Sequence, residues 1–269
     1  MTVAPVAARP GASTPGRRRR GVNLRGAAFV VGLVLALEVG TAVLGSRFFP
    51  PPSRIAVALV EQLADGRLAS ALLETVLSVA GGLAAASVVG VLVGLLLGSS
   101  DRLYAVLRWV IEFLRPLPSV SLVPFAILLL GVGPTTTIAA AAYAALWPVL
   151  FNTYYGVRDV NPVAIDSART FGLTRAEVLR RVVLPLALPG ILTGIRVASA
   201  IALVLVITVE LLTAAGGVGY FISFMQSAIR VPEMYAGVLV VGVLGYLIAL
   251  GVQALERRLL FWNRPGGDR

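Results

Sequence analysis

Few residue types in this chain could carry out bond-making chemistry. Among its 269 residues there is no Cys and no His, and all 23 basic residues are Arg. Without Cys and His, the common zinc, haem and iron–sulfur sites and every Ser-His or Cys-His nucleophile are excluded. Without Lys there is no phosphate-binding P-loop lysine, so the chain by itself is not a P-loop ATPase. We therefore expect no enzyme activity, no cofactor and no metal site.

Recognition of a partner is the chemistry that remains, and residues 161–185 form the one polar stretch between long apolar runs. Asn161 can cap a helix whose first turn holds Pro162, where the missing N–H group costs nothing. Gly172 occupies the position at which helices commonly end in a left-handed residue. The pattern predicts a short helix that ends at this glycine.

A second short helix is predicted directly after Gly172. Thr174 is followed three residues later by Glu177, a capping-box pattern in which each side chain satisfies a free backbone N–H group. Leu184 and Pro185 are expected to end this helix, because proline lacks an N–H group and crowds the preceding turn. Residues 161–185 are therefore predicted to form a compact helical knob.

The composition indicates that the elements holding this knob lie in a membrane. Hydrophobic residues make up 58% of the chain, charged residues 13%, and the mean hydropathy is +0.90. In soluble domains about a quarter of the residues are charged. The net charge of +10 is assigned to arginines that hold loops in the cytoplasm, and not to nucleic-acid binding. We expect an all-α, multi-pass protein of the cell membrane that is surrounded by lipid.

Six apolar stretches predict transmembrane helices, since a bilayer requires roughly 20 apolar residues for each. They cover residues 27–44, 75–97, 104–131, 135–155, 186–209 and 235–255. Glu38 interrupts the first stretch and is expected to face protein or water, or to lie near the outer end. Pro116 and Pro118 interrupt the third, so we predict a kinked helix whose break is buried in protein or faces a cavity.

Small residues recur at every fourth position in two of these helices. The second predicted span carries Gly82, Ala86, Gly90, Gly94 and Gly98, and the fifth carries Gly190, Gly194, Ala198 and Ala202. Such ribbons allow two helix backbones to approach closely, which favours packing in lipid. The sequence leaves open whether this packing occurs within one chain or across a dimer.

The distribution of arginine sets the expected orientation. With both termini in the cytoplasm, six arginines fall in residues 1–25, three in 102–115, five in 158–181 and four after Leu255, against four outside. Cytoplasmic segments carry the excess of basic residues. The knob at 161–185 is therefore predicted to lie in the cytoplasm.

Three regions follow from this topology. Residues 1–25 are predicted to be a disordered, Arg-rich cytoplasmic tail, residues 26–260 a membrane domain, and residues 261–269 a short cytoplasmic tail. A signal peptide is the competing interpretation of the N-terminus, but the apolar stretch is long and no convincing cleavage site follows.

The residues of the knob resemble a family motif. The order is Asp166-Ser167-Ala168, three residues, Gly172, nine residues, Val182, one residue, Leu184-Pro185. It is similar to the EAA loop of binding-protein-dependent ABC importer permeases, whose usual form is Glu-Ala-Ala, three residues, Gly, nine residues, Ile-x-Leu-Pro. The departures are conservative: an acid, a small residue and an aliphatic residue are kept.

The resemblance extends over roughly residues 70–260. The stretches 114–133, 147–162 and 188–212 look like the nitrate/sulfonate/taurine branch of these permeases. It implies a type I ABC importer (MetI-like) permease fold with about six spans, and a small anionic solute of the sulfonate, taurine or nitrate class. Relatives in this branch also carry bicarbonate, aromatic acids or thiamine-precursor pyrimidines, so the substrate stays open.

The resemblance also implies partners. They are two copies of a separate ABC ATPase subunit, a second permease copy that forms a homodimer, and an extracytoplasmic solute-binding protein. The first helix of the knob, about 162–171, would lie in a groove of the ATPase, where Ala168 and Gly172 allow close approach. The negative charge of Asp166 is favourable near the positive N-terminus of this helix. The implied coupling residues are Asp166, Ser167, Ala168, Arg169, Gly172, Val182, Leu184 and Pro185.

Polar residues near bends and span ends are candidates for the translocation pathway. They are Ser119, Ser121, Asn152, Arg196, Thr208 and Glu210. Hydrogen bonds between packed helices are the alternative explanation for most of them. For an anionic substrate, Arg115 or Arg196 would contribute a positive charge, whereas Glu210 is contrary to a simple anion funnel.

Two other classes of membrane protein compete with this interpretation. A secondary transporter requires a titrating group or an ion site within the membrane, and the charges here lie mostly at span ends and in loops. An intramembrane protease with paired Asp is disfavoured, because every Asp lies outside the predicted spans: Asp65, Asp101, Asp159, Asp166 and Asp268.

Overall fold

The described part of the chain folds into eleven α-helices. The computed structural model describes residues 24–261, so the predicted tails at 1–25 and 261–269 fall almost wholly outside the described residues. The α-helices of the described range are α1 Leu24–Leu44, α2 Pro52–Ala64, α3 Arg67–Ser99, α4 Asp101–Leu114, α5 Val123–Leu130, α6 Pro134–Arg158, α7 Pro162–Thr170, α8 Arg175–Val178, α9 Leu184–Leu212, α10 Gly217–Ser227 and α11 Val231–Leu259. A 3₁₀ turn, Ser119–Leu122, precedes α5, and a π-helical turn, Leu179–Val183, joins α8 to α9. No strand occurs between residues 24 and 261, which confirms the all-α prediction.

All six predicted spans form helices, but not all of them meet the same length criterion. Four helices of the described range are long and apolar enough to cross a membrane: Arg67–Ser99, Pro134–Arg158, Arg175–Leu212 and Val231–Leu259. The pair Asp101–Leu114 and Ser119–Leu130 makes a fifth if it is counted as one broken span, and the apolar part of α1, Ala28–Leu44, is shorter. The multi-pass prediction is confirmed, with four or five spans by this measure.

The small-residue ribbon of α3 packs along α6 within the chain. A Cβ atom added at Gly82 would lie 2.6 Å from the Cβ of Ala141. One added at Gly94 would lie 2.6 Å from the Cβ of Thr153 and 2.7 Å from the carbonyl oxygen of Leu150. Because no side chain fits at these distances, glycine allows the two helices to touch. The ribbon therefore serves a contact inside one copy.

Helix α6 is sandwiched between α3 and α9, and the second ribbon makes the α6–α9 contact. A Cβ atom added at Gly194 would lie 2.9 Å from the Cβ of Asn152 and 2.9 Å from the carbonyl oxygen of Pro148. The three helices share one apolar core, whose buried members include Val79, Ala86, Ala141, Ala145, Val149, Ala198, Ala202 and Val206. This three-helix layer is the scaffold to which the other elements attach.

The kink predicted in the third span is a sharp bend. The helical segments Asp101–Leu114 and Ser119–Leu130 meet at 85°, and Pro116 and Pro118 lie in the connection. Neither proline can donate a backbone hydrogen bond, and two prolines so close together favour a break in the helix at this connection. Helix α4 packs through Ile111 against the ends of α3 and α6.

The predicted end of the second short helix at Leu184-Pro185 is wrong. Helix α8 continues through the π-helical turn Leu179–Val183 into α9, and Arg175–Leu212 forms one helix of 38 residues. In this turn the N–H group of Leu184 donates to the carbonyl oxygen of Leu179, five residues back, and the helix passes Pro185 without ending. The knob is thus continuous with a span.

Glu38 meets protein, as predicted. Its carboxylate accepts hydrogen bonds from the backbone N–H group of Ser53 at 2.9 Å and from the Ser53 hydroxyl at 2.6 Å. Ser53 lies in the first turn of α2, where backbone N–H groups have no partner within the helix. The acid in α1 therefore caps the following helix.

Candidate functional site

We call residues 161–185, the predicted knob, the coupling loop after the family motif that they resemble. This segment begins with the predicted caps in place. The side chain of Asn161 accepts a hydrogen bond from the N–H group of Val163 at 2.9 Å. Gly172 has a φ of +82°, in the left-handed region, and a Cβ atom added there would meet nothing within 4 Å. The glycine is therefore required by the backbone turn and not by crowding inside the chain.

The capping box of α8 is complete. The Thr174 hydroxyl oxygen accepts from the N–H group of Glu177 at 3.3 Å, and the Glu177 carboxylate accepts from the N–H group of Thr174 at 3.0 Å. The two bonds satisfy backbone groups that the helix start leaves free. Together with the left-handed Gly172, they define the angle between α7 and the helix that follows.

The inner face of the coupling loop is apolar and packs on the ends of the spans. Ile165, Ala168 and Leu173 contact a buried cluster. The cluster consists of Val157, Val160, Val178, Val183, Ala187 and Ile191. Ala168 of the motif therefore faces this chain's own bundle, and Leu184 packs against the same cluster.

The outer face of the coupling loop exposes both charges and large apolar side chains. Asp166 and Arg169 form an ion pair of 3.5 Å on the surface, and Ser167 is exposed beside them. Phe171 is 84% exposed and Val163 is 68% exposed. Large apolar side chains that are exposed on a polar knob favour contact with another protein.

An open cavity of about 410 Å³ lies between the coupling loop and the ends of α3 and α6. Its wall is formed by Gly98, Ser99, Val157, Ile165, Arg169, Arg175, Ala176, Val178, Leu179 and Val183. The cavity borders the apolar cluster, with which it shares Val157, Val178 and Val183. In the described residues, no group of three or more carboxylates that could hold a metal ion is found here or elsewhere.

Two of the candidate pathway residues lie in one groove. Ser119 and Thr208 line a cavity of about 370 Å³ together with Val120, Ala144, Ala200, Ile201, Val204 and Leu205. The Thr208 hydroxyl donates to the carbonyl oxygen of Val204 in its own helix, at 2.7 Å. The groove is almost entirely apolar, with two hydroxyl groups as its polar points.

The other candidate residues are not in this groove. Asn152 donates to the carbonyl oxygen of Pro148 at 2.8 Å and lies in the α6–α9 contact. Arg196 forms an ion pair with Glu256 of α11. Arg115 stacks on the ring of Phe151, with 4.4 Å between its guanidinium carbon and the ring centroid. Ser121 is exposed in the 3₁₀ turn.

Glu210 lies in a buried polar cluster that the sequence analysis did not anticipate. Only 2% of Glu210 is exposed, and its carboxylate accepts from the Thr75 hydroxyl at 2.9 Å and from the N–H group of Gly219 at 2.9 Å. Sequence reasoning missed Glu74 and Thr75 of α3, because nothing near them in the sequence indicates that they meet Glu210 and the start of α10. The visible signal was the pair Gly216-Gly217, at which the unforeseen helix α10 begins.

Comparison with known proteins places this architecture among transport proteins. Residues 86–261 match the family described as "Binding-protein-dependent transport system inner membrane component". The chain is 31% identical to the taurine transport system permease protein TauC of Escherichia coli (strain K12) over 80% of each chain. It is 30% identical to the putative aliphatic sulfonates transport permease protein SsuC of Bacillus subtilis (strain 168), over 93% of this chain and 91% of the relative.

A third relative is named for bicarbonate transport. The bicarbonate transport system permease protein CmpB of Synechococcus elongatus is 32% identical over 68% of this chain and 66% of the relative. Among solved structures, a chain of the inward-facing MetNI methionine ABC transporter superposes with a TM-score of 0.62 at 21% identity, covering 71% of this chain and 95% of that chain. This likeness concerns the fold alone.

Proposed function

Because the chain belongs to the family of binding-protein-dependent transport system inner membrane components, we propose that it forms the translocation pathway of an ATP-driven importer for a small anionic solute. The family and the named relatives identify a multi-pass permease subunit of the ABC importer type, a transport subunit and not an enzyme. The proposal adds the substrate class, the coupling to a separate ATPase chain, the remaining partners and the orientation.

The observation that carries the proposal is the two-sided coupling loop. Its inner face packs on the bundle through Ala168 and Leu173, while Phe171 and Val163 are exposed on the outer face. Such a loop transmits force if a partner binds its outer face while its inner face is packed on the helices that move. We assign the partner as an ATPase subunit that receives α7 in a groove.

The motif residues then fall into two groups with different roles. Asp166, Ser167 and Arg169 are exposed and would contact the ATPase. Val182, Leu184 and Pro185 lie in or directly after the π-helical turn that joins the knob to the span. They would carry a displacement of the knob into α9, and Gly172 would hold the turn between the two groups.

A complete importer requires further partners. Two copies of this chain would form the pore, each with one ATPase subunit, and an extracytoplasmic binding protein would deliver the solute. The arginine distribution supports an orientation with both termini and the coupling loop in the cytoplasm. ATP-driven closure of the ATPase pair would rotate the packed helices between inward-open and outward-open states.

The substrate class rests on the relatives and on the groove. Taurine, aliphatic sulfonates and bicarbonate appear in the relatives' names, which supports a sulfonate, taurine or nitrate-class solute. The groove at Ser119 and Thr208 supplies hydroxyl groups and apolar walls, and these suit a thiamine-precursor pyrimidine as the alternative substrate. Ligand screening of the partner binding protein would separate the two.

A Gly172→Glu variant tests the coupling assignment. Glutamate is strained at a φ of +82° and adds a charge beside the exposed Phe171, so we expect normal membrane insertion but loss of the ATPase in co-purification. Gly172→Asn is the matched control, because asparagine tolerates the left-handed region and adds no charge. Normal ATPase recovery and uptake with Gly172→Glu would reject the assignment.

A further inference from the structure

Helix α10 is attached to the rest of the chain by a cluster of polar groups around its first turn. Glu74 and Thr75 come from α3, and Glu210 comes from the last turn of α9. All three side chains point at the backbone N–H groups with which α10 begins. The cluster lies at the opposite end of α9 from the coupling loop.

Each of the first three N–H groups of α10 has a side-chain acceptor in this cluster. The N–H group of Gly217 donates to the Glu74 carboxylate at 2.8 Å, that of Val218 donates to the Thr75 hydroxyl oxygen at 2.9 Å, and that of Gly219 donates to the Glu210 carboxylate at 2.9 Å. The Thr75 hydroxyl in turn donates to Glu210, which links two of the acceptors. These N–H groups have no partner within their own helix, so the cluster satisfies them completely.

The backbone of this turn is shaped to receive the carboxylates. Gly216 and Gly217 have φ values of +87° and +81°, which favour glycine. A Cβ atom added at Gly216 would lie 2.2 Å from a Glu74 carboxylate oxygen, and one added at Gly217 would lie 2.2 Å from the Glu210 carboxylate carbon. A side chain at either position would displace the acid that caps the helix.

Burial makes the Glu210 bonds difficult to break singly. Glu210 is 2% exposed and Thr75 is fully buried. A carboxylate in such a place is stable only while hydrogen bonds replace its lost hydration. If α10 moved away from α9, the carboxylate and the N–H group of Gly219 would both lose their partners. The joint therefore favours motion of α9 and α10 as one unit.

The other end of the same helix lies in the coupling loop. Arg175–Leu212 is one helix of 38 residues, or roughly 57 Å at 1.5 Å per residue. It begins in the knob, next to the capping box of Thr174, and it carries Glu210 two residues before its end. This helix is therefore the direct covalent path from the knob to the start of α10.

We propose that Glu210 is a positioning residue that joins α10 to the helix rising from the coupling loop, so that α10 follows the movement of that helix. The role rests on the proposed function, because it assumes that the coupling loop is displaced by a partner. It differs from a pathway role, since a carboxylate so buried and so fully hydrogen-bonded does not contact a passing solute. Glu74 and Thr75 hold the same turn from α3.

A single cysteine can report on this joint, because the chain has none of its own. Val218→Cys places a thiol at a fully buried position on α10 and leaves its backbone N–H bond to Thr75 intact. We expect this thiol to be protected from a membrane-impermeant thiosulfonate reagent in membranes that contain the full chain. Adding Glu210→Ala or Thr75→Val should raise the modification rate about ten- to hundredfold, because α10 detaches more often.

Conservative variants separate loss of the joint from general misfolding. Glutamine at position 210 can accept from the N–H group of Gly219 and donate to the Thr75 hydroxyl oxygen, whose proton then turns to the carbonyl oxygen of Ala71, 3.2 Å away. Glu210→Gln and Thr75→Ser should therefore keep the thiol protected. Glu61→Ala, which removes an exposed carboxylate of α2, is the control and should also keep it protected.

Two outcomes would overturn the proposal. Protection that persists in Glu210→Ala would show that Glu210 does not hold α10, and equal reactivity in Glu210→Gln and Glu210→Ala would show that the hydrogen bonds are not the cause. With the partners present, Glu210→Ala should retain ATPase co-purification but lose uptake, whereas retained uptake would also overturn it. Thiol protection requires no ATPase, so failure of the proposed function, read from the Gly172 variants, remains distinguishable.

Discussion

Polar side chains of similar type have different roles in this chain, depending on what they touch. Ser119 and Thr208 face a common groove, whereas Asn152 bonds to the carbonyl oxygen of Pro148 inside a helix contact. Arg196 is neutralised by Glu256. The spacing of these residues along the sequence is not informative about these roles, because each depends on a neighbour from another turn or another helix.

Alanine substitutions test this division at the residue scale. Removing the hydroxyl groups in Ser119→Ala with Thr208→Ala should lower the uptake rate while ATPase co-purification stays normal, since only the groove changes. Asn152→Ala, which removes a hydrogen bond within α6 to the carbonyl oxygen of Pro148, should instead lower the thermal unfolding midpoint by an amount equivalent to about 1 kcal/mol. Uptake at the wild-type rate in the double groove variant would reject the groove as the pathway.

At the scale of elements, the decisive contact is that of α3 with α6. The small residues of α3 recur at every fourth position. The α6 residues that pack against this face are Ala141, Val149, Thr153 and Val157. Because lipid offers no hydrophobic reward for helix association, close contact and the dispersion energy that it provides must hold the pair together. Every glycine on this face therefore contributes directly to stability.

Gly94→Val is expected to separate the two helices locally. The added Cβ atom alone would lie 2.7 Å from a backbone oxygen of α6, and overpacking of this kind costs about 1–3 kcal/mol. The thermal unfolding midpoint of the purified chain should fall accordingly. Gly242→Val in α11 is the matched control, because a Cβ atom there meets nothing within 4 Å. Equal midpoints for the two variants would contradict the assigned contact.

At the scale of the whole molecule, the coupling loop and α10 lie at opposite ends of one long helix. The helix Arg175–Leu212 connects them through its π-helical turn, and its middle packs in the core that α3, α6 and α9 share. A domain built this way can respond to a force at one end with a displacement at the other. The proposed function requires the two ends to lie on opposite sides of the membrane.

Single cysteines in this cysteine-free chain test that arrangement. Phe171→Cys, at an exposed position of the coupling loop, should react with an impermeant maleimide only when the cytoplasmic side is accessible, as in inverted vesicles. Ser227→Cys, exposed at the end of α10, should react only from the outside of intact cells. Labelling of both from one side would contradict the topology.

Local interactions made much of this protein predictable. The caps of α7 and α8, the left-handed Gly172 and the bend after Leu114 depend on residues within a few positions of one another, and the sequence alone indicated each of them. The apolar composition and the arginine distribution likewise predicted a polytopic membrane protein, because transfer into lipid depends on residue type more than on neighbours.

Tertiary structure decided the features that join distant parts of the chain. By sequence alone, the small-residue ribbon of α3 fits packing in a monomer or in a dimer, and the structure places α6 against it. By sequence alone, Glu210 has no visible partner, and the structure provides Thr75 of α3 and Gly219 of α10. The sequence also did not predict that α8 continues through the π-helical turn into α9. This turn lies in a helix whose residues on both sides pack into one buried cluster. A buried polar group or a glycine contact is defined by what lies across from it, and that depends on how the helices pack.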